Sequence, residues 1–245
     1  MVSISVRNAG VEFAIYNARG RSLRNHLIRR VGGQLAGGKR DNVVVKALQE
    51  INLELTQGDR VAIIGHNGAG KSTLLRILAG AYEPSSGEVR IEGTVTSLID
   101  MAMGMDYELT GRENVVLRGV FLGMTFSEVQ ALMPDVANFA ELGSYLDLPM
   151  RTYSTGMVLR LAFGISTAVR PDIILLDELI SVGDARFAKK AQDRMEALLS
   201  SARILVLASH SPDLLRQYCN RGIKLHEGRV VADGSLEQVL AAHTG

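Results

Sequence analysis

The sequence predicts an α/β fold: a mixed sheet that carries a glycine-rich strand-to-helix loop, N-terminal antiparallel β-strands, and an α-helical subdomain inserted between two α/β pieces. Three observations support this. First, Gly65-His66-Asn67-Gly68-Ala69-Gly70-Lys71-Ser72-Thr73 fits G-x-x-x-x-G-K-[ST] at every fixed position. The β-branched run Arg60-Val61-Ala62-Ile63-Ile64 precedes it and the helical apolar spacing of Ser72 to Gly80 follows, so the motif is a strand-to-helix turn. Second, Pro171-Asp172-Ile173-Ile174-Leu175-Leu176 reads as a strand buried on both faces and ends in the carboxylates Asp177-Glu178. Third, the stretch from Thr110 to about Ala168 lacks strand alternation and reads mainly as helices. The 245 residues accordingly form one domain, with an α/β core at 1–98 and 169–245 and a helical subdomain at 99–168.

In chain order, Ile4-Ser5-Val6-Arg7 and Val11 to Tyr16 are strand-like pieces. Residues 17–42 then carry seven basic side chains against the single acid Asp41, with paired glycines at 32–33 and 37–38, and read as an insertion. Inside it Ser22 to Val31 forms a short basic amphipathic helix with Leu23, Leu27, Ile28 and Val31 on one face. Such a helix is either a solvated surface element or a contact for anionic headgroups or a membrane partner. Val43 to Leu48 and Ile51 to Leu55 return to strand alternation, and Thr56-Gln57-Gly58-Asp59 is a turn. Beyond the loop come a turn at 83–87, a strand at 88–93, helices at 113–122 and 126–139 with Ser127 as the N-cap of the second, and a buried helix from Val158. The chain closes with strands at 204–208, 222–225 and 229–232, a turn at Glu227-Gly228, and a helix from Ser235 to His243.

A net charge of +1, from 27 basic and 26 acidic residues, supplies no global field for a nucleic-acid or membrane partner. Cys219 is the only cysteine and reads as a packed or idle thiol, and the polar N-terminus lacks a secretory core, which points to a reducing cytosol. No apolar run approaches the roughly 18 to 20 residues that cross a bilayer.

The chemistry follows from the motifs. Glycines at 65, 68 and 70 let the backbone wrap a phosphate with its N–H groups inward, and the new helix adds the positive end of its dipole. Lys71 reaches the β- and γ-phosphates and Ser72 ligates Mg²⁺. Asp177 is a second Mg²⁺ ligand, and Glu178 orients and deprotonates the attacking water. Ile204 to Ala208 delivers Ser209 and His210 to the same sheet edge, making His210 a candidate γ-phosphate contact. Ser154-Thr155-Gly156 alone is an ordinary capped helix start.

With these pieces in that order, the chain resembles an ATP-binding-cassette ATPase over essentially its whole length, which implies the RecA-like core of the P-loop NTPases. Leu109-Thr110-Gly111-Arg112-Glu113-Asn114, Tyr153-Ser154-Thr155-Gly156-Met157 and Val182-Gly183-Asp184-Ala185-Arg186-Phe187 narrow the resemblance to the nucleotide-binding subunits of bacterial polysaccharide exporters of the O-antigen, capsule and teichoic-acid type. The resemblance implies ATP and Mg²⁺, and a homodimer facing head to tail. In that dimer each ATP lies between Lys71-Ser72 of one copy and Ser154-Gly156 of the other. It also implies a separate transmembrane permease, a place at the cytoplasmic face of the bacterial inner membrane, and no nucleic-acid partner. Thr73 would contact the α-phosphate, Asn67 and Gly68 would line the phosphates, Asp184 would couple the two sites, and His210 would link the γ-phosphate to Glu178. Phe13 aligns with the aromatic that stacks on adenine, with Tyr16 in competition; either is equally an ordinary core aromatic.

Two departures stand out. The family's Mg²⁺-sensing glutamine falls near Asp100 or Met101, and Asp100 could ligate the metal or position water; Thr155 replaces a smaller signature residue. The chain stops at Gly245, so a carbohydrate-binding domain of the kind some glycan exporters carry is either elsewhere or not included. Transport of another cargo is the alternative within the family. A soluble DNA-repair or ribosome-associated cassette fits less well, because the coiled-coil insertions or tandem cassettes of those proteins are missing, and the Asn-Lys-x-Asp signature of a small GTPase is absent.

Overall fold

A computed structural model describes residues 1–15, 35–37, 43–99, 101–177 and 185–242. In chain order these form β1 (Ser3–Ile15), β2 (Leu35–Gly37), β3 (Val43–Thr56), β4 (Arg60–Ile64), α1 (Lys71–Leu78), β5 (Ser86–Glu92) and β6 (Val95–Ser97). Then come α2 (Gly111–Phe121), α3 (Phe126–Ala140), α4 (Thr155–Ala168), β7 (Ile173–Asp177), α5 (Ala185–Ser201), β8 (Ile204–Ala208), α6 (Pro212–Tyr218), β9 (Arg221–His226), β10 (Arg229–Ser235) and α7 (Leu236–Ala241). By contact the chain separates into two compact units: Met1–Val95, Leu175–Glu178 and Arg203–Gly245 form one, Thr96–Ile174 and Leu179–Ala202 the other.

The first unit holds an antiparallel sheet of order β2-β3-β1-β5. It also holds the mixed sheet β10-β9-β4-β8 and the end of β7 from Leu175 to Asp177. The strand pieces expected from Ile4 and from Val11 belong to one strand, β1, which ends at Ile15 among the described residues, and those at 43–55 belong to one strand, β3. Register shifts at Val6/Ala9, Ala9/Val11 and Val11/Glu12, with left-handed backbone at Asn8 and Glu50, bulge the pair. The bulges break the period of two, which is why each strand looks like two fragments in the sequence. β2 is a further addition: Leu35 to Gly37 pairs with Val45 to Val43 inside what reads as a glycine-rich insertion. The basic stretch 22–31 lies outside the described residues.

Local signals explain the remaining boundaries. The turn before β4 closes with Asp59 N–H on the Thr56 carbonyl at 3.0 Å, and the Asp59 carboxylate accepts from Thr56 N–H at 2.7 Å. α3 is capped by Thr125, not by Ser127. Thr125 Oγ1 accepts from Glu128 N–H and the Glu128 carboxylate accepts from Thr125 N–H, a reciprocal box that leaves Ser127 in the first turn. Thr110 and Glu113 cap α2 in the same way.

The second unit packs Val115 of α2, Val129 and Val136 of α3, and Val158, Leu161 and Ile165 of α4 around Leu146 and Met150. α5 belongs to this unit, with Phe187 edge-on to Phe139 at 5.2 Å. Arg194 forks onto the Asp135 carboxylate, donates to Thr167 Oγ1 at 3.0 Å and lies 4.6 Å from the Phe139 ring centroid. The Arg194 hydrogen bond holds the Asp135 carboxyl below its ordinary value.

Cys219 ends α6, and burial pushes its thiol up to about 12, with Arg60 opposing only in part. The thiolate is the reactive form, so iodoacetamide at pH 8 should label the folded chain at least about a hundredfold more slowly than the unfolded chain. Mass spectrometry in buffer and in denaturant measures the ratio, and equal rates would show that the thiol is open.

Candidate active site

Among the described residues, those that line the candidate cleft all belong to the first unit. β4 runs between β8 and β9, parallel to both, with Arg60 to Ile63 opposite Leu205 to Ala208 and Val61 to Ile64 opposite Arg221 to Lys224. Strands in step end together, so the loop after Ile64, the Ser209-His210 pair after Ala208 and the β9–β10 turn emerge at one edge. There they border a cleft of about 650 Å³, which Asp177 at the end of β7 also lines. Phe13 of β1 and Val45 to Ala47 of β3 line it as well.

Backbone packing holds the loop in shape. Gly70, the cap residue of α1, has φ 106°, and a Cβ there would come within 2.8 Å of the Ala47 carbonyl oxygen and 2.9 Å of Leu48 Cδ2. A Cβ on Gly65 would lie 2.5 Å from the Leu225 carbonyl oxygen. On the other side, Gly228 N–H donates to the Ala69 carbonyl at 3.0 Å while the Gly228 carbonyl accepts from Gln49 N–H at 2.8 Å. β3 and the β9–β10 turn therefore grip the loop from two directions. The first α1 bond within the helix runs from Leu74 N–H to the Gly70 carbonyl at 2.8 Å. The N–H groups ahead of it have no acceptor inside the helix, and with the helix dipole they favour an anion.

Polar side chains converge on the same place. Lys71 is 9% exposed and its Nζ donates to the carbonyls of Gly65 at 2.7 Å and His66 at 3.2 Å. Ser72 Oγ donates to Asp177 Oδ2 at 2.5 Å, joining residues 105 positions apart. A hydroxyl and a carboxylate at that spacing are hard oxygen donors of the kind Mg²⁺ takes, so the pair fits that ion. Asn67, Gly68 and Thr73 line the cleft, as does the exposed imidazole of His210. Buried Ser209 accepts from Ser211 N–H at 3.1 Å and shapes the turn that presents His210.

In the second unit, Ser154 caps α4, its Oγ accepting from Met157 N–H at 3.3 Å, with Thr155 exposed beside it. A Cβ on Gly156 would meet nothing nearer than Ser154 Oγ at 3.9 Å, so this helix start is uncluttered. The Leu109 to Asn114 motif supports it. Fully buried Asn114 accepts from Asp106 N–H at 2.8 Å and donates to the carbonyls of Asp106, Leu109 and Thr110. The stretch so fixed takes Met150 N–H on the Leu109 carbonyl and Arg151 N–H on the Tyr107 carbonyl, both at 2.9 Å. A Cβ on Gly111 would lie 2.3 Å from the Tyr153 hydroxyl oxygen and 3.2 Å from Leu146 Cα, so the glycine leaves room for that ring beside Ser154.

A family model described as ABC transporter matches residues 48–181. The chain belongs to the ABC transporter family. It is 44% identical over 231 residues to the O-antigen export system ATP-binding protein RfbE of Yersinia enterocolitica, covering 94% of this chain and 97% of that one. It is 40% identical to RfbB of Myxococcus xanthus, another O-antigen export system ATP-binding protein, over 83% of this chain; the match spans 47% of that longer protein. The teichoic acids export ATP-binding protein TagH of Staphylococcus epidermidis is 33% identical over 98% of this chain and 87% of its own length. A solved dimeric bacterial ABC transporter cassette matches with a TM-score of 0.66 at 22% identity, over 95% of this chain and 98% of that one, which bears on fold alone.

In this ABC ATPase the structure gathers Phe13, Asn67, Gly68, Gly70, Lys71, Ser72, Thr73, Asp177 and His210 around one cleft, with Gly65 beneath Lys71. Tyr16, Asp100, Glu178 and Asp184 lie outside the described residues, and Met101 is buried. Ala47, a strand residue by its sequence, and Glu227-Gly228, a hairpin turn by its sequence, carry no local signal of the site; long-range packing brings them to the loop.

Gly70→Ala tests the grip on the loop. The added methyl meets both a left-handed φ and the Ala47 carbonyl, so ATP affinity should fall at least about tenfold and stability by about 1 to 3 kcal/mol. Equilibrium ATP binding and urea unfolding measure the two, and a variant that binds like the parent would show that the loop relaxes.

Proposed function

We propose that this ATPase powers export of a lipid-linked polysaccharide of the O-antigen kind across the cytoplasmic membrane, through a separate transmembrane subunit. The observation that carries the proposal is the 44% identity to the Yersinia O-antigen export protein along nearly the full length of both chains. The protein would sit at the cytoplasmic face as a peripheral subunit; among the described residues no helix is long and apolar enough to cross a membrane. The basic stretch 22–31 would meet the permease or anionic headgroups.

ATP would lie in the first unit's cleft with its phosphates on the loop and Phe13 stacked on adenine. Lys71 would trade loop carbonyls for β- and γ-phosphate oxygens, while Thr73 would meet the α-phosphate. Ser72 and Asp177 would hold Mg²⁺, with Asp100 a candidate third ligand; the bound ion supplies neutralisation of the β- and γ-phosphate charge. Glu178, the residue after Asp177, would take the proton of the attacking water as its oxygen bonds to the γ-phosphorus. The bond to the ADP oxygen breaks in the same displacement. His210 would span the γ-phosphate and Glu178.

A second copy would complete the site with its Ser154, Thr155 and Gly156. The open start of α4 presents a positive dipole end, which stabilises γ-phosphate charge only while ATP is intact. ATP would hold two copies closed, hydrolysis would release them, and Asp184 would couple the two sites.

Glu178→Gln should bind ATP yet turn over at least about a hundredfold more slowly, accumulating as an ATP-dependent dimer in light scattering. Parent-like turnover would remove Glu178 as the base. Replacing Arg24, Arg29 and Arg30 by Ala should leave basal ATPase unchanged but lower surface polysaccharide in cells that depend on this subunit. Unchanged export in those cells would remove the membrane-side role of 22–31.

A further inference from the structure

The connection after α1 carries an aromatic ring that the phosphate chemistry does not use. Tyr82 stands edge-on to Phe13, with ring centroids 5.6 Å apart at 75°. The guanidinium of Arg76, in the last turn of α1, lies 5.8 Å from the centroid of the Tyr82 ring. Main-chain ties fix the same region: Ser85 N–H donates to the Gly10 carbonyl at 2.7 Å, and Glu12 N–H donates to Ser85 Oγ at 3.0 Å. Ala81 N–H closes the connection back onto the Arg76 carbonyl at 2.9 Å. Phe13 is 40% exposed and Tyr82 37%, so neither ring is set by burial in a core. A perpendicular contact with one neighbour takes up at most one face of a ring, which leaves Phe13 another face for a flat aromatic.

We propose that Tyr82 is a positioning residue for the nucleobase: it orients Phe13 and, through Arg76, ties that ring to the helix that begins at the phosphate loop. The proposal rests on the reading of Phe13 as the base-stacking aromatic. Both ends of the nucleotide are then referenced to α1, its phosphates by the helix start and its base by the helix's last turn. Tyr82 is not among the residues that line the phosphate-loop cleft, so its effect should appear only with ligands that carry a base.

The test compares ATP with inorganic tripolyphosphate, which has the phosphates and no base. Affinities are measured by calorimetry without Mg²⁺ on the full chain, and ATPase kinetics with it, for Y82A, Y82F, F13A and F13A/Y82A. The expected result is ATP binding weakened about three- to tenfold in Y82A, the range of one aromatic pair, with KM raised and kcat held. Tripolyphosphate affinity should be unchanged, Y82F should behave as the parent, and Y82A should add nothing in the F13A background. Equal losses for ATP and tripolyphosphate would show general support of the fold and overturn the proposal, as would additive losses in the double variant. If F13A weakens ATP and Y82A does not, the Tyr82 proposal alone fails. If F13A leaves ATP binding unchanged, the reading of Phe13 fails and the Tyr82 proposal falls with it.

Discussion

One carbonyl sets the dimensions of the phosphate site. The Ala47 oxygen of β3 lies 2.8 Å from where Gly70 would carry a Cβ and 2.6 Å from where Gly228 would. Three segments remote in sequence are thus nested at main-chain contact distance, and any side chain at either glycine would force them apart. The convergence of the loop donors, the carbonyls that hold Lys71 and the reach of Ser72 to Asp177 all depend on that nesting. Steric exclusion here does what hydrogen bonds alone could not, because a looser loop would aim its N–H groups at solvent.

The second unit solves a related problem with a polar side chain instead of a missing one. Asn114 is fully buried with its amide hydrogen bonds satisfied by the main chain from Asp106 to Thr110, where an unsatisfied amide would cost about 1 to 3 kcal/mol. That makes the arrangement specific as well as stable, since an apolar replacement would leave several carbonyls bare. The Leu109 to Asn114 motif and the Tyr153 to Met157 motif, far apart in sequence, prove to be two sides of one packed turn.

Features that depend on neighbours in sequence were legible before the structure. The loop, β4, β7, β8 and the turn at Thr56 to Asp59 announce themselves by apolar runs and glycine placement. The Thr125–Glu128 box was equally available, since Thr-x-x-Glu is a stronger start signal than the Ser127 two residues later. So is α5, where Phe187, Ala191, Met195, Leu198 and Leu199 keep a helical apolar stripe. What could not be read was long-range: the bulged continuity of β1 and β3, the pairing of Leu35 to Gly37 with β3, and the approach of Gly228 to the loop. None of these leaves a local pattern, because each is decided by which distant main chain lies alongside.

Ser72 in the first turn of α1 and Asp177 at the end of β7 stand 105 positions apart, yet one hydrogen bond of 2.5 Å spans them. Whatever moves the end of β7 therefore moves one of two oxygens that a metal ion would have to reach at once, while the other stays with the phosphate loop. In effect the pair is a gauge: a small displacement of either element changes the fit of the ion, because Mg²⁺ tolerates little departure from octahedral distances.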